Sequence, residues 1–186
     1  MTPAAQYAEA YLQAYTSPLG PMTLAAATGE GLPEGGAVVG AWFDGQKHDR
    51  AGLADGALTV AAGDPAEPAV LAATRTWLER YFAGADPGPM PALASTGTAF
   101  QQDVWARLRT IPRGRTTTYG RIAADLAAET GRPTSARAVG SAVGRNPISV
   151  LVPCHRVLGA NGALTGYAGG PERKAALLRL EGVTVA

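Results

Sequence analysis

Apolar residues in the first half of the chain are spaced first as in strands and then as in a helix. Residues 21–28 and 36–43 are short, mostly apolar runs that are typical of β-strands, and residues 68–83 have helical periodicity. The helical segment has a large apolar face that contains Trp77, Leu78, Tyr81 and Phe82. The pattern predicts a small domain of sheet plus helix over residues 1–83.

Residues 84–98 interrupt that pattern. The stretch contains three prolines and three glycines, and proline neither continues a helix nor pairs well inside a sheet. We therefore predict that residues 84–98 are a linker between two domains.

Helical spacing dominates the second half of the chain. The predicted helices cover residues 100–111, 119–129, 134–144 and 171–181. Gly-Arg-Pro at 131–133 separates the second of these from the third, which gives a helix, a turn and a helix. The apolar run 148–152 is predicted to be extended. The whole pattern predicts a mixed α/β (α+β) protein with a mostly helical C-terminal domain, residues 99–186.

Charge is distributed unevenly between the two halves, although the net charge is only +1. Residues 1–95 carry four Lys or Arg and ten Asp or Glu, a net charge of −6, and residues 96–186 carry twelve and five, a net charge of +7. Eleven of those twelve basic residues are arginine, whose planar guanidinium suits phosphate contacts. A basic half favours nucleic acid as a partner, and a solvated helical surface is the alternative.

The sequence lacks signals for a membrane or a metal centre. No apolar run reaches the roughly 20 residues that span a bilayer, and the N-terminus has no basic stretch followed by an apolar core. The one cysteine excludes an intramolecular disulfide, and a Cys/His metal site would have only Cys154, His48 and His155 as ligands. We predict a cytoplasmic protein with no membrane contact, no metal and no cofactor.

Cys154 is the candidate nucleophile, in the motif Pro153-Cys154-His155-Arg156-Val157. A lone cysteine is often only a small buried residue. Here Pro153 fixes the backbone that enters Cys154, while His155 supplies a possible base and Arg156 a positive charge, both of which can activate a thiol. Neighbouring side chains of an extended chain point apart, so His155 needs a backbone turn or a bridging water to reach the sulfur.

The same motif is similar to the PCHRV signature of the O6-alkylguanine-DNA alkyltransferases, also called methylated-DNA–protein-cysteine methyltransferases. Further landmarks occur in family order, so the resemblance covers roughly residues 99–182. They are Phe100-Gln101, Val104-Trp105, Ile111-Pro112, Tyr119-Gly120, residues 136–140, Asn146-Pro147, Gly166-Tyr167 and Gly169-Gly170. Residues 1–83 resemble the family more loosely.

The resemblance implies direct repair of O6-alkylguanine, with O4-alkylthymine left open as a second substrate. Cys154 would attack the alkyl carbon and keep the alkyl group as a thioether, so each molecule would act once. His155 would act as base through a bridging water, Glu181 would orient His155, and Asn146 would brace the active-site turn. From the residues alone, Glu181 could also be a surface carboxylate and Asn146 an ordinary turn former.

The resemblance also implies that the partner is double-stranded DNA containing O6-alkylguanine, bound by a helix-turn-helix with the target nucleotide flipped out. Arg137 would fill the place of the flipped base, Tyr119 would donate to guanine N3, Tyr167 would line the pocket and Val157 would read the base edge through its backbone. Further DNA contacts would come from Thr118, Ser135, Ala136, Ala138 and Gly140. The implied protein is a monomer without an obligate protein partner. Without the resemblance, the two tyrosines would be core residues and the small side chains would serve close helix packing.

The sequence departs from the family pattern at several places. The segment between Tyr119 and Arg137 is longer, Ala168 replaces a serine of some members, and Ser149 occupies a pocket-rim position that is proline in some relatives. The zinc ligands found in the first domain of some members are also missing from the sequence.

Three other functions are alternatives. A non-enzymatic sensor of the alkyltransferase-like group lacks the nucleophile that this chain has in Cys154. A thiol hydrolase would use Cys154 and His155, but nothing in the sequence suggests an acyl substrate or an oxyanion hole. A regulator that senses methylation usually needs further cysteines in an attached domain, whereas this sequence has one cysteine.

Overall fold

The computed structural model describes residues 9–53 and 56–185. The chain divides into two compact units, Met1–Thr96 and Gly97–Ala186. Among the described residues, no helix is long and apolar enough to cross a membrane. In the same residues, no group of three or more His, Cys, Asp or Glu side chains could hold a metal ion.

The first unit is a four-stranded sheet with one helix. Helix α1, Ala69–Phe82, packs on the sheet and buries Trp77, Leu78 and Tyr81. The sheet order is β3-β2-β1-β4, with β1–β2 and β2–β3 antiparallel and β4 parallel to β1. The strands are β1 Glu9–Ser17, β2 Gly20–Thr28, β3 Ala37–Phe43 and β4 Leu58–Thr59. β2, β3 and α1 confirm the two predicted strands and the predicted helix.

β1 escapes the sequence pattern because polar residues occupy its inward positions. Gln13 and Ser17 are buried beside Tyr15, so the alternation that indicates a half-buried strand is missing. The buried Gln13 amide is satisfied in the structure. It donates to the Glu67 carboxylate at 2.8 Å and accepts from the Arg75 guanidinium at 3.0 Å.

Part of the stretch 84–98 belongs to the sheet of the first unit. The Val38 amide donates to the Ala92 carbonyl at 2.8 Å, and the Ala94 amide donates to the Val38 carbonyl at 2.9 Å. The expectation that this stretch pairs poorly with a strand is wrong here, because these residues follow the last proline of the stretch and have amides that can pair. The extent of a linker stays a prediction.

The second unit is mostly helical, as predicted. Its helices are α2 Ala99–Arg109, α3 Tyr119–Thr130, α4 Ala136–Gly144 and α5 Pro171–Leu180. α2, α3 and α4 pack on one another around Trp105, whose indole donates to the Ala142 carbonyl at 2.9 Å. A short parallel pair of strands, β5 Thr117–Thr118 and β6 Val157–Leu158, brings the start of α3 beside the segment that follows Cys154.

Hydroxyl side chains begin α3 and α4. Thr118 accepts the Arg121 amide at 3.1 Å and Ser135 accepts the Ala138 amide at 3.2 Å, so each satisfies an amide that the first turn leaves open. α3 ends at Gly131, whose φ of 67° stops the helix. Thr118 and Ser135 are two of the residues expected at DNA, and here their side-chain oxygens already serve the helix starts.

Candidate active site

Residues 148–152 fold into a compact turn, so the predicted extended run is wrong. The Val152 amide donates to the Ile148 carbonyl at 3.0 Å. Val150, inside the turn, has φ 72°, a conformation that costs free energy for a β-branched residue. Ser149, expected at a pocket rim, is buried in this turn. The strand preference of these residues is outweighed by hydrogen bonds from a nearby side chain, which hold the turn.

Asn146 is that side chain. Its amide nitrogen donates to the carbonyls of Ile148 and Val152 at 3.3 and 2.9 Å, and its oxygen accepts the Ile148 amide at 3.1 Å. The same nitrogen lies 3.1 Å from the Cys154 sulfur, so its two protons are shared among three acceptors. Asn146 is itself buried, so one side chain holds both the turn and the sulfur in place.

Cys154 follows a second tight turn. Pro153 has φ −81° and ψ 61°, and the Cys154 amide donates to the Val152 carbonyl at 2.8 Å. This is an inverse γ-turn, which the fixed φ of proline favours. Cys154–Arg156 then forms one 3-10 turn. The backbone therefore turns at Cys154, which is one of the two alternatives that would let His155 act on the sulfur.

The Cys154 thiol is almost completely buried, with 3% of the residue exposed. Burial raises the pKa of the thiol above its usual value, and the hydrogen bond from Asn146 and the charge of Lys174 offset that only in part. The resting sulfur is therefore a thiol at neutral pH. A nucleophilic thiolate needs a base that takes the proton.

His155, Arg156 and Glu181 form a buried charged cluster. His155 Nε2 lies 2.9 Å from Glu181 Oε1, and Arg156 donates to both carboxylate oxygens at 2.7 and 2.8 Å. The side chains of His155 and Glu181 have no exposed surface. Burial lowers the pKa of His155, although the Glu181 carboxylate acts in the opposite direction. His155 is therefore neutral at pH 7 and able to accept a proton.

Lys174 is a site residue that the sequence analysis missed. It lies on α5 with no exposed surface, and its Nζ donates to the carbonyls of Val157 and Thr165. Burial lowers the pKa of Lys174 to about 8, and its charge in turn favours the thiolate of Cys154. Its spacing from Leu177 and Leu178 could have revealed it, because i, i+3 and i+4 share one helix face.

Tyr119 and Tyr167 each contact another residue of the second unit. The Tyr119 hydroxyl donates to the Thr165 carbonyl at 2.7 Å. Burial raises the pKa of Tyr119 to about 12, with a smaller contribution from the negative charge that Cys154 carries as a thiolate, so the hydroxyl keeps its proton. The Tyr167 ring stands edge-on to His155, with centroids 6.4 Å apart. Tyr119 therefore contacts the loop that contains Thr165, and Tyr167 contacts His155.

The residues expected at DNA on α4 differ in exposure. Arg137 and Ala136 are exposed, whereas Ala138 and Gly140 are partly buried. A Cβ on Gly140 would lie 3.7 Å from the Tyr119 ring, so the middle of α4 packs near the start of α3. The exposed end of α4 is open to a partner, and its inner face is used inside the protein.

Val157 is fully buried, and both of its backbone groups have partners. Its amide donates to the Cys154 carbonyl and its carbonyl accepts from Lys174. A carbonyl oxygen has two lone pairs. The second lone pair of the Val157 carbonyl can therefore accept a hydrogen bond from a DNA base.

Comparisons with known proteins match the second unit in sequence and most of the chain in structure. The family model of the 6-O-methylguanine DNA methyltransferase DNA-binding domain matches residues 99–183. A methylated-DNA–protein-cysteine methyltransferase of Shigella flexneri is 55% identical over 107 residues, 56% of this chain and 60% of that protein. The protein of the same name from Mycobacterium tuberculosis is 50% identical over 115 residues, 62% of this chain and 67% of its own length. The chain therefore spans less than two thirds of the Shigella relative.

A solved structure covers more of the chain. The crystal structure of Mycobacterium tuberculosis OGT in complex with DNA has a TM-score of 0.72 at 39% identity. The match covers 92% of this chain and 92% of that chain. The similarity thus extends into the first unit.

Proposed function

The chain belongs to the 6-O-methylguanine DNA methyltransferase family, and we propose that it is a methylated-DNA–[protein]-cysteine S-methyltransferase that acts once. Its substrate is O6-alkylguanine in duplex DNA, and Cys154 keeps the alkyl group. The observation that carries the proposal is the buried Cys154 thiol, fixed by Asn146 and followed directly by a neutral His155 paired with Glu181.

The transfer is a single displacement at the alkyl carbon. His155 takes the thiol proton through a bridging water, the sulfur forms a bond to the alkyl carbon, and the bond from that carbon to O6 breaks. The electron pair of that bond stays on the base, where a hydrogen bond from the Tyr119 hydroxyl to N3 stabilises it. The base then takes up one proton, which balances the proton that His155 removed from the thiol, and guanine is restored. The thioether on Cys154 has no good leaving group, so the protein is consumed.

The target base reaches the sulfur only after it leaves the DNA stack. We propose that α3 and α4 act as a helix-turn-helix and that α4 enters the minor groove. The exposure of Ala136 and Arg137 supports this arrangement, with Arg137 filling the space of the flipped base and Tyr167 lining the pocket. Because Thr118 and Ser135 use their side chains as helix caps, we expect their DNA contacts to come from the backbone.

We further propose that the protein works as a monomer in the cytoplasm. Cys154 is a free thiol, which a reducing compartment maintains. No step of the displacement needs a cofactor, a metal or a second protein.

Intact mass spectrometry tests the proposal directly. The protein is mixed with a duplex that carries one O6-methylguanine, and any adduct is mapped to a peptide. We expect a gain of about 14 Da, a methyl replacing the thiol hydrogen, on Cys154 and saturating at one per molecule. A matched duplex with unmodified guanine is the control. Retention of the damaged duplex without a mass gain would contradict transfer and favour a damage sensor.

The transfer rate should fall on the acid side. The pKa of His155 lies below its ordinary value of about 6.5. His155 therefore stays neutral at pH 6.5 and loses its ability to accept a proton only at lower pH. The unfolded protein takes up that proton more readily, so the free energy of unfolding should also fall as the pH drops below about 6.5. Single-turnover rates and melting temperatures across this range check both effects.

His48→Asn is the matched control for the fall of the transfer rate at low pH. His48 is the one other histidine, and its φ of 63° is a conformation that asparagine tolerates. The transfer rate of the variant should fall at the same low pH as that of the parent protein. A fall that begins above pH 6.5, or one that disappears in His48→Asn, would contradict the assignment to His155.

A further inference from the structure

The Tyr119 hydroxyl already has an acceptor in the free protein. It donates to the backbone carbonyl of Thr165 at 2.7 Å. The proposed function needs the same hydroxyl to donate to N3 of the flipped guanine. A phenolic hydroxyl has one proton to donate, so it cannot serve both acceptors fully. Binding of the base must therefore draw the hydroxyl away from Thr165.

The Thr165 carbonyl has a second donor that stays in place. Lys174 Nζ donates to it at 2.7 Å and lies 5.8 Å from the centre of the Tyr119 ring. Because Lys174 remains, Thr165 keeps a partner when Tyr119 leaves. The exchange of acceptors thus leaves the Thr165 carbonyl with a protein donor.

Gly166 provides the space that the hydroxyl occupies. It has φ +75°, and a Cβ built on it would overlap the Tyr119 hydroxyl oxygen and lie 3.0 Å from the ring carbon that bears it. Any side chain at this position forces the ring to move. Gly162 lies in the same loop with φ +76°, and a Cβ there would have nothing within 4 Å. The two glycines therefore share a conformation and differ in what a methyl group would meet.

We propose that the Thr165 carbonyl is the resting acceptor of the Tyr119 hydroxyl, and that Gly166 is a positioning residue that keeps this hydroxyl beside the reacting base. The second half of the inference rests on the proposed function, since it needs the flipped guanine as the next acceptor. The first half concerns the free protein alone.

The resting contact is tested by NMR of the free protein. Labelling threonine carbonyls with ¹³C and glycine amides with ¹⁵N selects the four Thr–Gly pairs of the sequence, one of which is Thr165–Gly166. Comparison of the parent with Tyr119→Phe should shift the Thr165 carbonyl signal and leave the other three unchanged. An unchanged Thr165 signal would overturn the resting contact. This readout needs no transfer activity, so it stands whether or not the proposed function holds.

The positioning role is tested by single-turnover transfer in Gly166→Ala and Gly162→Ala. We expect Gly162→Ala to match the parent and Gly166→Ala to be slower by about 10- to 100-fold, because a misplaced donor acts poorly. In a Tyr119→Phe background, adding Gly166→Ala should cause no further loss, because the hydroxyl is already gone. That background separates an effect through Tyr119 from an effect on the fold.

Two results would overturn the positioning role. One is a Gly166→Ala rate equal to that of Gly162→Ala, and the other is the same slowing by Gly166→Ala with and without the Tyr119 hydroxyl. The melting temperature of every variant is measured as well. If the double variant Tyr119→Phe with Gly166→Ala is unfolded, the result counts against the positioning role of Gly166, because removal of the hydroxyl relieves the overlap and should let the double variant fold. Failure of the proposed function looks different, since the parent itself would then transfer nothing.

Discussion

Cys154→Ala should abolish alkyl transfer and leave binding to the damaged duplex largely intact. The variant removes the one sulfur nucleophile of the sequence, and no other group at the site combines a low barrier to deprotonation with sulfur's nucleophilicity. The loss to the fold is small, about 1 kcal/mol, since one hydrogen bond from Asn146 and one small buried atom disappear. Intact mass and a gel-shift titration with an O6-methylguanine duplex measure the two properties.

Cys154→Ser is the matched variant for this result. The hydroxyl keeps the shape and accepts the Asn146 hydrogen bond, but it is a far weaker nucleophile at neutral pH. It should also transfer nothing, which separates the loss of the nucleophile from the loss of packing. A methyl group found on any other residue of Cys154→Ala, at the parent's rate, would remove Cys154 from the mechanism.

Glu181→Gln should cause the largest loss of stability among conservative changes at the site. Glu181 has no exposed side-chain surface and holds Arg156 through two hydrogen bonds and His155 through one. Removal of one partner of a buried ion pair leaves an uncompensated charge, here the 11%-exposed Arg156, and typically costs about 3–5 kcal/mol. The transfer rate should fall as well, because His155 loses the group that orients it.

Glu172→Gln provides the comparison for that variant. Glu172 lies in the first turn of α5, the helix that Glu181 follows, and is exposed, so its loss should cost less than about 1 kcal/mol. Denaturant unfolding of both variants gives the free energies, and single-turnover transfer gives the rates. Equal losses of stability in the two variants would contradict the role of the Glu181 cluster.

Several elements follow from local pattern alone. β2 and β3 are mostly apolar runs because both of their faces are buried. α1 to α5 have apolar residues at helical spacing because each helix buries one face. β1 lacks that pattern, since Gln13 and Ser17 point inward and Gln13 is satisfied by residues more than fifty positions away. A strand whose buried face is polar gives no alternation to detect.

The prediction for residues 148–152 failed for a related reason. β-branched and apolar residues favour strands. The Asn146 side chain, however, forms hydrogen bonds with backbone groups at both ends of the run, at Ile148 and Val152, and so stabilises a turn. Lys174 was missed because lysine is rarely buried. In both cases one polar side chain satisfies several backbone carbonyls, and a pattern of apolar spacing carries no record of that.

The sequence by itself determined the nucleophile, the family motifs around it and the contrast between an acidic and a basic half. These depend on residue identity and on short spacing. Only the tertiary structure decided the protonation states and the hydrogen-bond partners at the site. His155 pairs with Glu181, which lies 26 residues away in sequence, and Tyr119 pairs with Thr165, which lies 46 residues away. Burial sets the pKa values of Cys154, His155 and Lys174, and burial is created by the packing of distant segments rather than by any one of them.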